Sequence, residues 1–264
     1  MILTLLMLAL ITASAYVALL TSVDSRFTRA AERGIIGGWK ITDAEKNLRE
    51  KNKPHDTSFI YTEYNAVAPF RKEKFRSKKY DKLAKEYIGA LKECVAVREK
   101  YDPDSNYDEF WAHFSEPYSR RIKALYALQK GGRQFDISHI GYEEESADLM
   151  VRGWALNKAE QISFKTKTAK SGKRVYTAKV KNDSGYSLAF VDFTVELYDN
   201  KGKLLETDSA YAENIKRNDI FELKFYEYPA RAASYAITSV NCQRKSRKST
   251  TDKTDKIDSE STLR

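Results

Sequence analysis

Nothing in residues 1–23 carries a charge, and the first twenty residues are almost continuously apolar (MILTLLMLALITASAYVALL). Twenty helical residues rise about 30 Å, the thickness of a bilayer's hydrocarbon core. The segment therefore predicts a single membrane-spanning helix with the rest of the chain on one side. A removable signal peptide is the alternative, because Ala13-Ser14-Ala15 supplies a small-x-small cleavage site that would release a secreted body near Ala15. Against it, no Lys or Arg precedes the apolar run, which continues through Val17, Leu19 and Leu20. No Cys lies in or just after the segment, which removes a lipoprotein anchor.

Arg26, Arg29, Arg33 and Lys40 all follow the segment. Taken alone, the positive-inside rule places the body in the cytoplasm, but long domains are translocated despite local charge. Over the whole chain, 46 basic against 37 acidic side chains leave a net charge of +9, which favours anionic surfaces such as phospholipid headgroups, wall polymers or nucleic acid, the alternative being a charged, soluble exterior. Cys94 and Cys242 are the only cysteines and fall in segments that read as different domains. Two are too few for a disulfide scaffold, and two free thiols are expected.

Residues 24–75 have no long periodic run. Gly34, Gly37 and Gly38 predict a turn, and Thr42 or Asp43 reads as the N-cap of a short helix ending before Pro54. Residues 76–132 predict a helical hairpin. Tyr80, Leu83, Tyr87, Leu91, Cys94 and Val97 recur every three to four positions, and Asp102-Pro103 ends that helix. Phe110, Trp111, Phe114, Tyr118, Ile122, Leu125, Tyr126 and Leu128 form a second apolar stripe, with a helix restart at Pro117 and a stop at Gly131-Gly132. Residues 133–159 read as a connector carrying the acidic run Glu143, Glu144 and Glu145.

After Gln161 the period falls to two: Ile162 and Phe164, then Tyr176, Ala178 and Val180, then Phe193, Val195 and Leu197, then Phe221, Leu223 and Phe225 alternate with polar residues. Turn chemistry separates them at 182–185, 199–202 and 217–219. Six or seven strands in this spacing predict an antiparallel β-sandwich. Residues 244–264 are polar and charged and predict a disordered tail.

Val195-Glu196-Leu197-Tyr198-Asp199 resembles the signature of the FxLYD domain family, with Val195 where the family has Phe. Val180-Lys181-Asn182-Asp183-Ser184 resembles the family's V-x-N-x-S strand end, and Tyr198-Asp199-Asn200-Lys201-Gly202-Lys203 its YD-x-x-G-K hairpin. The resemblance covers residues 160–243. It implies a small immunoglobulin-like sandwich of the kind found in prokaryotic envelope proteins outside the membrane, with no shared catalytic residues. It also tips the expected orientation toward an extracytoplasmic body.

Chemical motifs are sparse. His55, His113 and His139 belong to no HExxH or CxxC pattern, so no metal or cofactor is expected. Asp136-Ile137-Ser138-His139 has the residue types of a nucleophilic site without a recognisable local motif. Glu143, Glu144 and Glu145 read as a solvated run rather than a cation site. GIIGGWK at 34–40 is not a phosphate loop, because Trp39 precedes the Lys and no hydroxyl residue follows it. Asn182-Asp183-Ser184 matches a glycosylation sequon, although the turn role suffices.

The strongest feature outside the apolar segment is the run 71–85 (RKEKFRSKKYDKLAK). Arg71, Lys72, Lys74, Arg76, Lys78, Lys79, Lys82 and Lys85 face two acids, with Phe75 and Tyr80 interspersed. Such a cluster binds phosphate-bearing surfaces through charge and counterion release, the alternative being a solvated helix start. The sequence thus predicts an α+β chain with an N-terminal transmembrane helix, a helical hairpin and a C-terminal immunoglobulin-like antiparallel β-sandwich. The expected function is that of a single-pass, membrane-anchored extracytoplasmic envelope protein with a non-catalytic interaction module. Its partner would be an anionic envelope polymer or a protein, with nucleic acid disfavoured. The alternatives are a secreted or cytoplasm-facing protein that binds anionic lipid, wall polymer or nucleic acid through 71–85, and an enzyme with an interdomain site.

Overall fold

The three glycines of residues 24–75 sit inside a helix, not in a turn. The computed structural model describes residues 22–48, 57–131 and 142–245, and its first element is a 26-residue helix, α1 (Val23–Leu48). A second helix, α2 (Phe59–Val67), packs across it and runs into a short 3-10 turn, Ala68–Lys72. The close approach of the two helices explains the glycines. A Cβ at Gly34 would lie 3.0 Å from Glu63 Cα, one at Gly37 2.9 Å from Thr62 Cγ2, and one at Gly38 3.1 Å from Phe59 Cβ. Spaced three and four apart, these positions share one helix face. The helix-weakening effect of glycine is offset by apolar contact among Phe27, Ala31, Ile35, Ile60 and Val67. Nor does Thr42 cap a helix; its hydroxyl donates to the Gly38 carbonyl at 3.1 Å within α1.

Helices α3 (Lys78–Lys100) and α4 (Tyr107–Lys130) lie against each other. Ser77 accepts from the Tyr80 N–H at 3.0 Å to start α3. Asn106 starts α4 with a reciprocal pair, accepting from the Glu109 N–H and donating to its carboxylate. Pro117 does not restart a helix. It is buried inside α4, and a ring stack of Phe110, Phe114 and Tyr118 spans it, with centroids 4.8 and 5.5 Å apart. The expected connector is a fifth helix over most of its described length, α5 (Glu143–Ala159). Its three glutamates occupy the first turn, where the helix dipole favours negative charge.

Six strands follow: β1 (Lys165–Thr168), β2 (Arg174–Lys181), β3 (Leu188–Tyr198), β4 (Leu204–Ile215), β5 (Ile220–Glu227) and β6 (Ser234–Arg244). They form two three-stranded antiparallel sheets, ordered β1-β2-β5 and β4-β3-β6. Inward positions such as Val191, Phe193, Val195 and Leu197 alternate with half-exposed ones along β3. Asp199 opens the β3–β4 turn by accepting from the Lys201 and Lys203 N–H groups. Asn182, fully buried, donates to the Tyr186 and Lys216 carbonyls and accepts from Ser184, tying together three stretches of backbone. Its amide is consumed by the turn and is not presented for glycosylation.

The two halves share one helix. Met150 of α5 belongs to the helical core, while Val151, Trp154 and Ala155 belong to the sandwich core. Gly153 allows the contact, since a Cβ there would lie 2.5 Å from Tyr126 Cβ on α4.

The expected fold class therefore needs correction. The described residues form five α-helices followed by two small sheets, and no helix among them is long and apolar enough to cross a membrane. The segment expected to span lies, up to residue 21, outside the described residues. The described chain opens instead on a helix bearing Asp24, Arg26 and Arg29, each of them a residue that hydrocarbon excludes. Residues 246–264, where the tail was expected, also lie outside the described part.

Candidate functional site

Residues 71–85 turn a corner from the 3-10 turn into the first turns of α3. Two aromatic side chains hold that corner down. Phe75 and Tyr80 are buried, edge-on to Phe27 of α1 at 5.2 and 6.2 Å between ring centroids. The Tyr80 and Thr28 hydroxyls share a 2.9 Å hydrogen bond, and Asp24 accepts from the Arg76 N–H at 3.1 Å. These two rings are therefore core anchors and not part of a binding face.

With the aromatics turned in, the cations turn out. Arg71, Lys72, Lys74, Arg76, Lys78, Lys79, Lys82 and Lys85 are all exposed. Only Lys85 forms an ion pair among the described residues, with Asp81 at 2.9 Å. That contact, with the Phe75 N–H and the Lys74 charge, holds the Asp81 carboxyl below its ordinary range. Lys78 and Lys79 stand in the first turn of α3, where the positive end of the helix dipole adds to their own charge. Asp81 is the one acid of that turn, and it is paired with Lys85.

A second feature is the junction between the halves, where an interdomain enzyme would need its site. A cavity of about 390 Å³ lies between α4, α5 and β6, with Trp39, Tyr118, Asp148, Arg152 and Cys242 among its walls. A neighbouring cavity of about 230 Å³ shares Trp39 and Tyr118 and reaches Phe59 and Arg121. Part of the polar lining is engaged, and Arg152 lies over the Tyr118 ring at 5.3 Å. Arg244 donates to Asp148 at 2.7 Å and also meets Glu144. Burial and the neighbouring Glu145 raise the Asp148 carboxyl above its ordinary value. Burial pushes the Cys242 thiol up to about 11, so it is protonated at neutral pH and is a poor nucleophile.

Beneath these cavities lies a buried ion pair. Arg121 and Glu63, almost wholly excluded from solvent, meet through two hydrogen bonds, the one from Nη2 measuring 2.6 Å. Phe59 and Tyr118 flank the guanidinium at 5.8 and 5.3 Å. Burial opposes its charge, but the Glu63 carboxylate outweighs burial and holds Arg121 above its ordinary pKa. Burial first, then Glu63, keep the Tyr87 phenol well above its usual range. No sequence pattern links positions 63, 87 and 121; α2, α3 and α4 bring them together.

The other residues weighed from sequence do not converge. His113 is exposed and stacks on Tyr101 at 4.3 Å. His55 and Asp136-Ile137-Ser138-His139 lie outside the described residues. Cys94 and Cys242 are free, and burial pushes the Cys94 thiol up to about 12. No cluster of three or more metal-ligating side chains occurs among the described residues.

No family model and no curated protein matches the chain. The resemblance to FxLYD domains is thus left without a family match, and the envelope placement and signal anchor drawn beside it are without support. Among solved structures, IrmA from Escherichia coli matches with a TM-score of 0.26 and 16% identity, over 31% of this chain and 76% of that chain. The cj0090 protein of Campylobacter jejuni matches with a TM-score of 0.23 and 13% identity, over 32% and 85%. Both likenesses are too slight to bear on fold or function.

Proposed function

We propose that this is a non-catalytic binding protein that attaches to phosphate-bearing partners through the basic corner at 71–85. The carrying observation is the exposure of all eight cations of that run, seven of them without an ion pair among the described residues. A cation in a solvated helix start is usually interleaved with acids at i, i+4 spacing, as Lys85 is with Asp81. The other seven form no such pair among the described residues; Glu86, four residues after Lys82, is taken by Arg120. Such a surface attracts phosphate by charge and by release of counterions, and the logarithm of the affinity then falls linearly with the logarithm of the salt concentration. The engaged carboxylates and protonated thiol at the junction of the halves support the non-catalytic half of the reading.

The test is binding of inorganic polyphosphate across a salt series, with the chain carrying Lys72→Gln, Lys74→Gln, Lys78→Gln and Lys79→Gln alongside the unmodified protein. The substituted chain should bind more weakly, with a salt slope shallower by about 0.7–0.9 for each phosphate that the protein no longer neutralises. Equal affinity and equal slope would assign the cluster to solubility and sink the proposal.

A further inference from the structure

The two outer faces of the sandwich carry opposite charge. On the sheet β4-β3-β6 the outward row of β3 holds Asp192, Thr194 and Glu196, and their cross-strand neighbours are Tyr211, Ser209, Thr207, Asn241 and Ser239. The acids there are already bonded: Asp192 to Ser209, and Glu196 to Tyr198. On the sheet β1-β2-β5 the outward row is the reverse. Lys165 and Lys167 of β1 lie opposite Thr177 and Val175 of β2, which pair in turn with Lys224 and Tyr226 of β5; Lys179 and Lys181 complete the row. Glu222, opposite Lys179, is the sole acid of that row among the described residues. Lys165, Lys167, Lys179, Lys181 and Lys224 are exposed and form no ion pair among the described residues. Two ammonium groups lie near the Tyr226 ring, Lys173 at 3.9 Å and Lys224 at 5.2 Å from its centroid.

This face begins where the basic corner ends. Arg76, Ser77 and Lys79 share a surface hollow with Gly131 at the end of α4. The preceding residue, Lys130, is exposed and donates to the Asp183 carbonyl at 3.3 Å, two residues beyond Lys181 at the end of β2. Lys216 and Arg217, both exposed, adjoin the same turn, where the Lys216 carbonyl accepts from Asn182 at 2.9 Å. Cations thus lead from the helical half across the α4 terminus to the sheet, past Asp24, which also lines the hollow, and past the Asp183 carboxylate, which Trp154 and Lys158 hold.

Building on the function proposed above, we infer that the two surfaces act as one track for a linear phosphate polymer. The spacing selects the chemistry. Neighbouring strands stand about 4.8 Å apart and same-face residues about 6.8 Å apart along a strand, so Lys165 and Lys167 on β1, Lys179 and Lys181 on β2 and Lys224 on β5 occupy points of one regular lattice. A lone phosphate engages one or two points of such a lattice; a chain of phosphates engages the row.

The experiment uses the full chain, long and short inorganic polyphosphates, and two variants. The sheet variant carries Lys165→Gln, Lys167→Gln, Lys179→Gln and Lys181→Gln; the corner variant carries the four substitutions at 72, 74, 78 and 79. All eight positions are exposed, and circular dichroism checks that both variants are folded. The sheet variant should lower affinity for long chains, with a salt slope reduced by about 0.7 per phosphate released, and leave the short chain unaffected. The corner variant should weaken both. A sheet variant that binds long chains like the unmodified protein overturns the track, while a weakened corner variant in the same assay leaves the corner reading intact. Loss confined to vesicles of anionic phospholipid, with polyphosphate binding unchanged, overturns the track in favour of a lipid surface.

Discussion

Arg121 and Glu63 show how one pair of residues can decide the helical core. Each is almost fully buried, and each is held by the other. Removing one partner from such a pair leaves a charge in a medium that cannot solvate it, which costs far more than the pair contributes. Glu63→Gln should therefore destabilise the protein by about 3 kcal/mol in urea denaturation. Glu63→Leu combined with Arg121→Met should recover most of that loss, because no unpaired charge remains. Losses that simply add in the double variant would show that the two side chains act independently.

At the scale of elements, glycine is read correctly only when its neighbours are known. Gly153 and Gly89 both lie inside helices, and helix propensity alone ranks alanine above glycine at each by about 1 kcal/mol. The structure separates them. A Cβ at Gly153 meets Tyr126 Cβ at 2.5 Å and the Ile122 carbonyl at 3.3 Å, whereas one at Gly89 meets nothing within 4 Å. Gly89→Ala should raise stability by roughly 0.5–1 kcal/mol. Gly153→Ala should lower it by roughly 2 kcal/mol by prising α5 from α4. Thermal unfolding of the two variants, side by side, checks both signs; a stabilised Gly153→Ala would mean that the α4–α5 contact is looser than described. The same contrast explains α1. Its three glycines resemble a turn in sequence and serve as the seat of α2 in the fold.

For the whole molecule, α5 makes the halves one unit. Its two faces enter two cores, and Arg244 at the end of β6 reaches back to Asp148 and Glu144. Far-ultraviolet dichroism, which is weighted to the helices, and the fluorescence of Trp154 in a Trp39→Phe, Trp111→Phe variant, which reports the sandwich core, should therefore show one coincident unfolding transition. Two separated midpoints would show that α5 does not couple the halves. The charge layout is also a property of the whole. Lys130 at the end of α4 meets the turn that follows the lysine face of one sheet, while the other sheet is acidic on its outer face.

Much of the local structure was legible in the chain because it follows from periodicity and capping. The stripes of α3 and α4, the period-two strands and the Asp199 turn need only near neighbours in sequence to be recognised, and so did the basic cluster, as a count of charges. Four features needed the folded molecule. Phe75 and Tyr80 belong to the core because α1 supplies Phe27 and Thr28 to meet them. The Arg121–Glu63–Tyr87 group exists because three helices cross. The connector became α5 because its apolar residues are divided between two cores, which blurs a single stripe. The lysine face appeared only when strand pairing aligned β1, β2 and β5, residues some sixty positions apart. The sequence alone determined α3, α4 and the alternating strands, since their stripes, caps and turns are set within a turn or two of chain. Which faces meet, and so which charges gather, was decided by tertiary packing, because burial is a property of neighbours that the chain brings from far away.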